Sequence, residues 1–498
     1  MRINDIWRPY LERVAIIDIG SNTIRLVVFS VANKFPMPMF NEKATCRLGA
    51  GLIATGKLAP DSMSRAVSSI ERFVLIAQAM EVCRLVLVAT AAVRLAKNGD
   101  TLVNIVKKRC NVDVEILSGA EEARLASLGV TYGIPNADGL ICDLGGGSAD
   151  LVLLDSGTTR EFGSLALGHV VLAESSKNNI NKARKLINQK LDMLPWIACG
   201  KERSLYAVGG SVRALAKLYI HQSGYPIHIV DEFTMRSSTL YDFSKVVSKM
   251  SPNSLVNSPS ISRKRINTFP MAALFMECII ERSKVKDVIF CSSGMREGKL
   301  ISLLPNLFKD ADPLIVACER ISELHGRFLL PGRELFNWIS PLFVNDVDHH
   351  QSCRLAACLL SDICWYEHPD YRAEHAFYRT LRLRVVGISH TQRVFLSLAL
   401  YVRYGGKLSD DIVSSITSLI DKDALNGATV TGIALKLGHA LAGSAPGILW
   451  RSFLKLDKEF VVLTSKDDPC IMRGEVVKRE LKSLARSLSL SWKIEYSD

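Results

Sequence analysis

Asp143-Leu144-Gly145-Gly146-Gly147-Ser148-Ala149-Asp150 sits between two short runs, Leu140 to Asp143 and Leu151 to Leu154. Apolar runs of this length bounded by glycine read as buried strands joined by a tight turn. Three consecutive glycines within such a pair carry an entropic cost and offer no side chain to pack. The cost is offset where backbone has to approach a ligand closely. The pattern occurs earlier as well: the apolar run Val14 to Ile19, the turn Asp18-Ile19-Gly20-Ser21-Asn22-Thr23-Ile24-Arg25, and the run Ile24 to Val31. Two copies of strand, D-x-G turn, strand predict two related α/β halves facing a cleft.

Working outward, apolar residues at helical spacing follow Pro60 and continue to Met80, with Asp61 and Ser62 near the start. Strands are expected at Leu85 to Ala89 and Val112 to Leu117, and helices at Thr101 to Cys110 and Ala120 to Tyr132. In the second half, the strand Leu205 to Val208 meets Gly209-Gly210 and a helix from Ser211 to Tyr219; the strand Val288 to Cys291 precedes a helix from Met295 to Leu304. After Asp312-Pro313 the chain reads almost entirely helical to about Leu454. It then returns to strand (Phe460 to Leu463), helix (Gly474 to Leu488) and strand (Trp492 to Tyr496). This divides the chain into α/β halves at 1–132 and 133–312, a helical module at 313–454 and a small α/β cap at 455–498.

The 498 residues are 48% hydrophobic and 22% charged, a globular balance. No apolar run reaches the roughly 18–20 residues that span a bilayer. The charged start, Met1 to Arg13, lacks a signal-peptide core. These features predict a soluble, cytoplasmic protein without a membrane partner. Twelve cysteines lie singly, without a C-x-x-C pair, and are expected to be reduced. A net charge of +12 favours a polyanion but does not choose among polyanions. No RNA-reading motif accompanies it, so nucleic acid is not the expected partner.

The turns are suited to phosphate. Gly20, Gly145, Gly146 and Gly147 let backbone N–H groups come close to phosphate oxygens. Ser21, Asn22, Thr23 and Ser148 add side-chain donors, and Arg25 adds charge. Asp18 is a candidate for holding a cation or its water. Gly209-Gly210-Ser211-Val212-Arg213 joins a strand to a helix whose N-terminus suits an anion, or is simply a helix cap. Ser118-Gly119-Ala120-Glu121-Glu122 has capping-box spacing between Ser118 and Glu121, which explains Glu121 structurally and leaves Glu122 unexplained. Asp143 and Asp150 flank the triple glycine, and Mg²⁺ near phosphate takes one or two carboxylates plus waters.

These stretches together resemble the superfamily of acetate and sugar kinases, heat-shock chaperones and actin. Within it, the chain resembles the exopolyphosphatase/guanosine pentaphosphate phosphatase family. The resemblance rests on Asp18 to Leu26, Arg47 to Leu52, Ala89 to Arg94 with Asn98-Gly99, Ser118 to Leu125 with Gly129, Asp143 to Asp150, Gly209 to Arg213 and Gly294 to Leu300. It implies two actin-like domains around a cleft and removal of terminal phosphate from inorganic polyphosphate. The alternatives are a pppGpp 5'-phosphohydrolase, a phosphotransferase, or a silent polyanion-sensing module. The family's catalytic glutamate falls on Glu122, expected to orient and deprotonate the attacking water. The resemblance also implies a divalent cation at Asp143 and Asp150, although the family commonly has Glu where Asp150 stands. It places phosphate contacts at Thr90 and Arg94, with Arg213 and Arg296 as weaker candidates; a structural pair with Glu297 is the alternative for Arg296. A homodimer is implied in the same way.

The helical module resembles the HD fold of metal phosphohydrolases. Its His-Asp position reads Ser361-Asp362, and His349-His350 does not supply the missing ligands. Arg372, Arg379, Arg382, Arg384, Arg393 and Arg403 read as a solvated helix face or as a basic track for a polyphosphate chain.

Overall fold

The computed structural model describes residues 13–31, 36–256, 258–304, 312–328, 331–343, 350–465 and 469–496; the charged start as far as Glu12 and His349 lie outside them. The chain forms two compact units, Met1–Asp310 and Ala311–Asp498.

Among the described residues the first unit holds two sheets. One contains β1 (Arg13–Ile19), β2 (Thr23–Ser30), β3 (Met37–Thr45), β4 (Arg84–Ala89) and β5 (Val114–Ile116), in the order β3-β2-β1-β4-β5. The other contains β6 (Gly139–Leu144), β7 (Ala149–Asp155), β8 (Thr158–Leu165), β9 (Ser204–Val208), β10 (Phe233–Arg236) and β11 (Asp287–Phe290). Its order, read from the β8 edge, is β8-β7-β6-β9-β11-β10. Apart from the added edge strand β10, this repeats the first sheet: an antiparallel meander, then parallel strands. The predicted duplication is therefore topological, and the actin-like α/β fold class holds.

Both faces of the first sheet are covered, which is why β1 is a continuous apolar run rather than an alternating one. Ile17, Ile19, Leu26 and Val28 pack against Ile70, Phe73 and Val74 of the Pro60–Ala79 helix. The opposite face, with Val14, Ile16 and Val27, meets Leu125 of the Gly119–Gly133 helix and Leu300 of the Met295–Leu303 helix. Ala123 and Val130 of that first helix also pack on Ile141, Val152 and Val208 of the second sheet. One helix thus joins the cores of both halves. It crosses the Met295–Leu303 helix at glycines: a Cβ on Gly298 would fall onto the Leu125 carbonyl, and one on Gly129 onto the Gly294 carbonyl.

Four strands have no counterpart in the sequence reading: β3, β8, β10 and β12 (Ser452–Leu456). All four lie at sheet edges, where half of each strand meets solvent and no apolar run is needed. β12 begins within the stretch read as helical.

The second unit is helical up to β12. Its long Lys422–Ala442 helix packs on the His390–Arg403 helix. β12 pairs antiparallel with β13 (Phe460–Ser465), which pairs parallel with β14 (Ser491–Tyr496) across the Glu475–Ser487 helix. No helix among the described residues is long and apolar enough to cross a membrane. All twelve cysteines are free, and Cys353, Cys358 and Cys364 are buried.

Candidate active site

The two glycine turns are built alike. Gly20 N–H donates to the Thr23 carbonyl (3.1 Å), and Gly145 N–H to the Ser148 carbonyl (2.9 Å). Behind each turn a neighbouring segment takes up its carbonyls. Gly49 N–H donates to Ser21 O (2.8 Å) and Arg47 N–H to Asn22 O (3.0 Å); His169 N–H donates to Gly145 O (3.2 Å) and Val170 N–H to Gly146 O (3.1 Å). With the carbonyls bonded at the back, the peptide planes turn their N–H groups forward. The N–H groups of Ser21, Asn22, Gly146 and Gly147 have no partner among the described residues. Unpaired donors in successive turn residues make an anion-binding concavity.

The turns also face one another. A Cβ on Gly147 would come within 2.5 Å of Ser21 Oγ and 3.5 Å of the Ala91 Cβ, beside Thr90. Thr90 starts the Ala91–Leu95 helix, and its N–H donates to Ile19 O (3.2 Å). Gly147 is thus a point of close approach between the two turns, and a larger residue there would push the two donor sets apart.

Register sets the sign of charge at each turn. Asp18 is paired with Arg25 across β1 and β2, whereas Asp143 is paired with Asp150 across β6 and β7. Residues directly opposite in an antiparallel pair share a face, and like charges there repel. Burial, followed by Asp150, pushes Asp143 up to about 7. Burial raises Asp150 too, although Ser164 Oγ (2.5 Å) and Ser148 Oγ (3.1 Å) both donate to it. Ser148 therefore spends its hydroxyl on Asp150 rather than presenting it to a ligand, which corrects its expected role as a phosphate donor. Burial raises Asp18 against the opposing pull of Arg296 and Arg25.

Glu122 is 7% exposed and is held by Arg94, whose guanidinium donates to its Oε1 and to the Leu117 carbonyl (2.6 Å). Arg94 is therefore neither a surface residue nor free to meet phosphate with its whole guanidinium. Burial and the nearby Asp150 and Asp143 outweigh this ion pair and push Glu122 up to about 8. Ser118 Oγ accepts from Glu121 N–H (3.1 Å), but the Glu121 carboxylate turns to Arg124 (2.7 and 2.8 Å). Only half of the predicted capping box forms.

Arg296 reaches Asp18 (3.4 Å) across the two halves, while Glu297 accepts from Gly294 N–H (2.9 Å). Arg296 thus meets Asp18 of the other half, and Glu297, its alternative partner, turns to the Gly294 backbone. In the third loop, Arg213 donates to Ser292 O (2.8 Å), and Arg265 covers Gly210, donating to its carbonyl (2.7 Å). Ser211 is 1% exposed, and its Oγ has no hydrogen-bond partner among the described residues. Burial, then Arg296 and Arg213, lower Arg25 to about 10. Desolvation and the neighbouring Arg265, Arg25, Lys264 and Arg213 lower Lys43. So many cations in mutual repulsion invite an anion.

Sequence reasoning missed Ser164, Lys43, Lys264 and Arg265. The first two stand on edge strands, and the others follow the loop-like Ser251 to Ser262. Only the excess of basic residues hinted at them.

No group of three or more His, Cys, Asp or Glu among the described residues is spaced to hold a metal ion. A site built of Asp143 with Asp150 suits Mg²⁺, which needs only one or two carboxylates, and the repulsion between these two is what a cation relieves.

Residues 27–307 match the model of the Ppx/GppA phosphatase family, and residues 314–492 that of the exopolyphosphatase C-terminal family. Retrograde regulation protein 2 of Saccharomyces cerevisiae is 27% identical over 439 residues, 79% of this chain and 73% of that protein. Guanosine-5'-triphosphate,3'-diphosphate pyrophosphatase of Pseudoalteromonas atlantica is 24% identical over 402 residues, 77% of this chain and 78% of that one. Exopolyphosphatase 1 of Mycobacterium leprae is 27% identical over 333 residues, 63% of this chain and 95% of that one. The crystal structure of an exopolyphosphatase from Cytophaga hutchinsonii shares the fold, with a TM-score of 0.55 at 22% identity over 59% of this chain and 97% of that one.

Proposed function

The chain belongs to the Ppx/GppA phosphatase family, and on that premise we propose that it is an exopolyphosphatase, hydrolysing the terminal phosphate of inorganic polyphosphate. One observation carries the reading: a buried Glu122, aimed by Arg94, lies beside two facing turns whose N–H donors are unpaired. The terminal phosphate is held by the N–H groups of Ser21, Asn22, Gly146 and Gly147, with Thr23 and Arg25 alongside. Glu122 accepts a proton from water as the water oxygen bonds to phosphorus. The phosphoanhydride bond breaks, and its electrons leave on the shortened chain. Phosphoryl transfer depends mainly on positioning and charge neutralisation, which suits this arrangement. Mg²⁺ is the proposed cofactor, with Asp143 and Asp150 as its protein ligands. It supplies positive charge to the phosphate oxygens when bound. Chelation by EDTA should stop phosphate release and added Mg²⁺ restore it; activity that survives exhaustive chelation removes the metal from the reading. A homodimer is proposed as well, testable by light scattering.

The second reading, hydrolysis of pppGpp, is favoured by the relative whose name specifies a guanosine pyrophosphatase. The cations beside the turns separate the two. Lys43 and Lys264 are exposed, and Lys264 Nζ reaches Thr45 Oγ1 (3.4 Å). Lys43→Gln with Lys264→Gln should raise KM for long polyphosphate several-fold, less for tripolyphosphate, and the difference should shrink as salt rises. Phosphate release from long polyphosphate, tripolyphosphate and pppGpp tests both readings. Turnover of pppGpp alone would replace the polyphosphate reading.

A further inference from the structure

A row of residues crosses each sheet beside its turn. In the first sheet Asp18 stands opposite Arg25, and Arg25 opposite Lys43 on the edge strand β3. In the second, Asp143 stands opposite Asp150, and Asp150 opposite Ser164 on the edge strand β8. Residues directly opposite one another share a face of the sheet. The duplication therefore puts Ser164 where the first half carries a lysine. Its hydroxyl donates to Asp150 Oδ1 (2.5 Å), and the Ser148 hydroxyl donates to Oδ2 (3.1 Å).

Asp150 is 6% exposed, whereas Ser164 is exposed and has water within reach. Its hydroxyl turns inward all the same, into space left by a glycine. A Cβ on Gly119 would come within 2.9 Å of Ser164 Cβ and 3.2 Å of its Oγ, and Gly119 begins the helix that carries Glu122. A carboxylate offers about four lone pairs. The two hydroxyls take one on each oxygen, which fixes the rotation of the group and leaves the others for a cation. A hydroxyl also orients without adding charge. A lysine in its place, as in the first sheet, would neutralise Asp150 and compete with any bound cation.

We propose that Ser164 is a positioning residue for the metal. By holding the Asp150 carboxylate in one orientation, it sets the affinity of the Asp143–Asp150 pair for a divalent cation. It acts through Asp150 rather than on the substrate, and the inference rests on reading Asp143 and Asp150 as the ligands. Hydrogen-bond partners of ligating side chains orient them and tune the site in this way.

The full chain is titrated with Mn²⁺ in the absence of substrate. Free Mn²⁺ is read from its EPR signal, and Mg²⁺ is then added to displace what has bound. We expect the parent to bind an ion that Mg²⁺ displaces, and Ser164→Ala to bind it about 10–100-fold more weakly. Alanine keeps the Cβ beside Gly119, so thermal unfolding in EDTA should match the parent. Ser164→Thr keeps the hydroxyl and, being β-branched, suits a strand; it should bind as the parent does. Phosphate release by Ser164→Ala should need more Mg²⁺ yet reach the parental kcat at saturation, a rescue that a merely weakened fold would not show. Parental affinity in Ser164→Ala, or an equal loss in Ser164→Thr, overturns the positioning role and leaves the metal reading standing. A parent that binds no Mn²⁺ overturns both.

Discussion

Glu122→Gln should lower phosphate release from polyphosphate by about 10²–10⁴-fold, the range over which positioned general bases act. Glutamine keeps the size of the side chain and can still accept from Arg94, so the turns and their donors stay in place. What disappears is the group that takes the proton of the attacking water. Substrate binding should therefore change little, and the loss should fall on kcat. The pH profile gives an independent check. Burial and the adjacent Asp150 and Asp143 raise Glu122 to about 8. The form that accepts a proton is the carboxylate, whose population grows as pH rises through that value. Activity should climb from pH 6 toward pH 8–9, and a bound cation shifts this limb to lower pH without reversing its sign. In Glu122→Gln the limb should be absent. A variant with parental kcat, or a parent whose rate falls across that interval, removes Glu122 from the role of base.

Gly298→Ala should be the most damaging single-methyl change in the first unit. The added Cβ would land on the Leu125 carbonyl, which is backbone and fixed by its own helix. Neither helix can retreat: Leu125 and Leu300 are both sealed into the core against β1 and β2. Overpacking of this kind typically costs about 1–3 kcal/mol, and more where backbone must move. We expect a loss of about 3 kcal/mol or more, seen as a lowered first transition in thermal unfolding, with the second unit's transition unchanged. Activity should fall with it, because the Gly119–Gly133 helix carries Glu122. Ser302→Ala, on the same Met295–Leu303 helix, serves as a mild control: its Oγ bonds only the Lys299 carbonyl of its own helix (2.7 Å). A Gly298→Ala protein that unfolds with the parent would show that the crossing is looser than its geometry implies.

The duplicated fold was legible because buried strands need largely apolar runs, and Val14 to Ile19 and Leu140 to Asp143 supply them ahead of each glycine turn. Glu122 stood out because capping-box spacing offered a reason for Glu121 and none for its neighbour, and because the family resemblance placed the catalytic glutamate there; in the fold the Glu121 carboxylate turns to Arg124 instead of capping. The edge strands β3 and β8 were not, because half of each faces water and pairing partners, rather than composition, hold them in place. Ser164 and Lys43 were lost with them. Arg393 and Arg403 misled in the opposite direction: written in a row of charges they look solvated, yet each is almost fully buried.

Local sequence alone determined where each turn lies, that its glycines admit a close ligand, and which carboxylates stand beside it. These are properties of neighbouring residues, and spacing encodes them. Only the tertiary structure decided what those groups do to one another. Strand register put Asp143 opposite Asp150 but Asp18 opposite Arg25, and the two glycine-lined helices drew the halves together until Gly147 met Ser21. Electrostatic work depends on distance and burial, and residues far apart in the chain acquire both only when it folds.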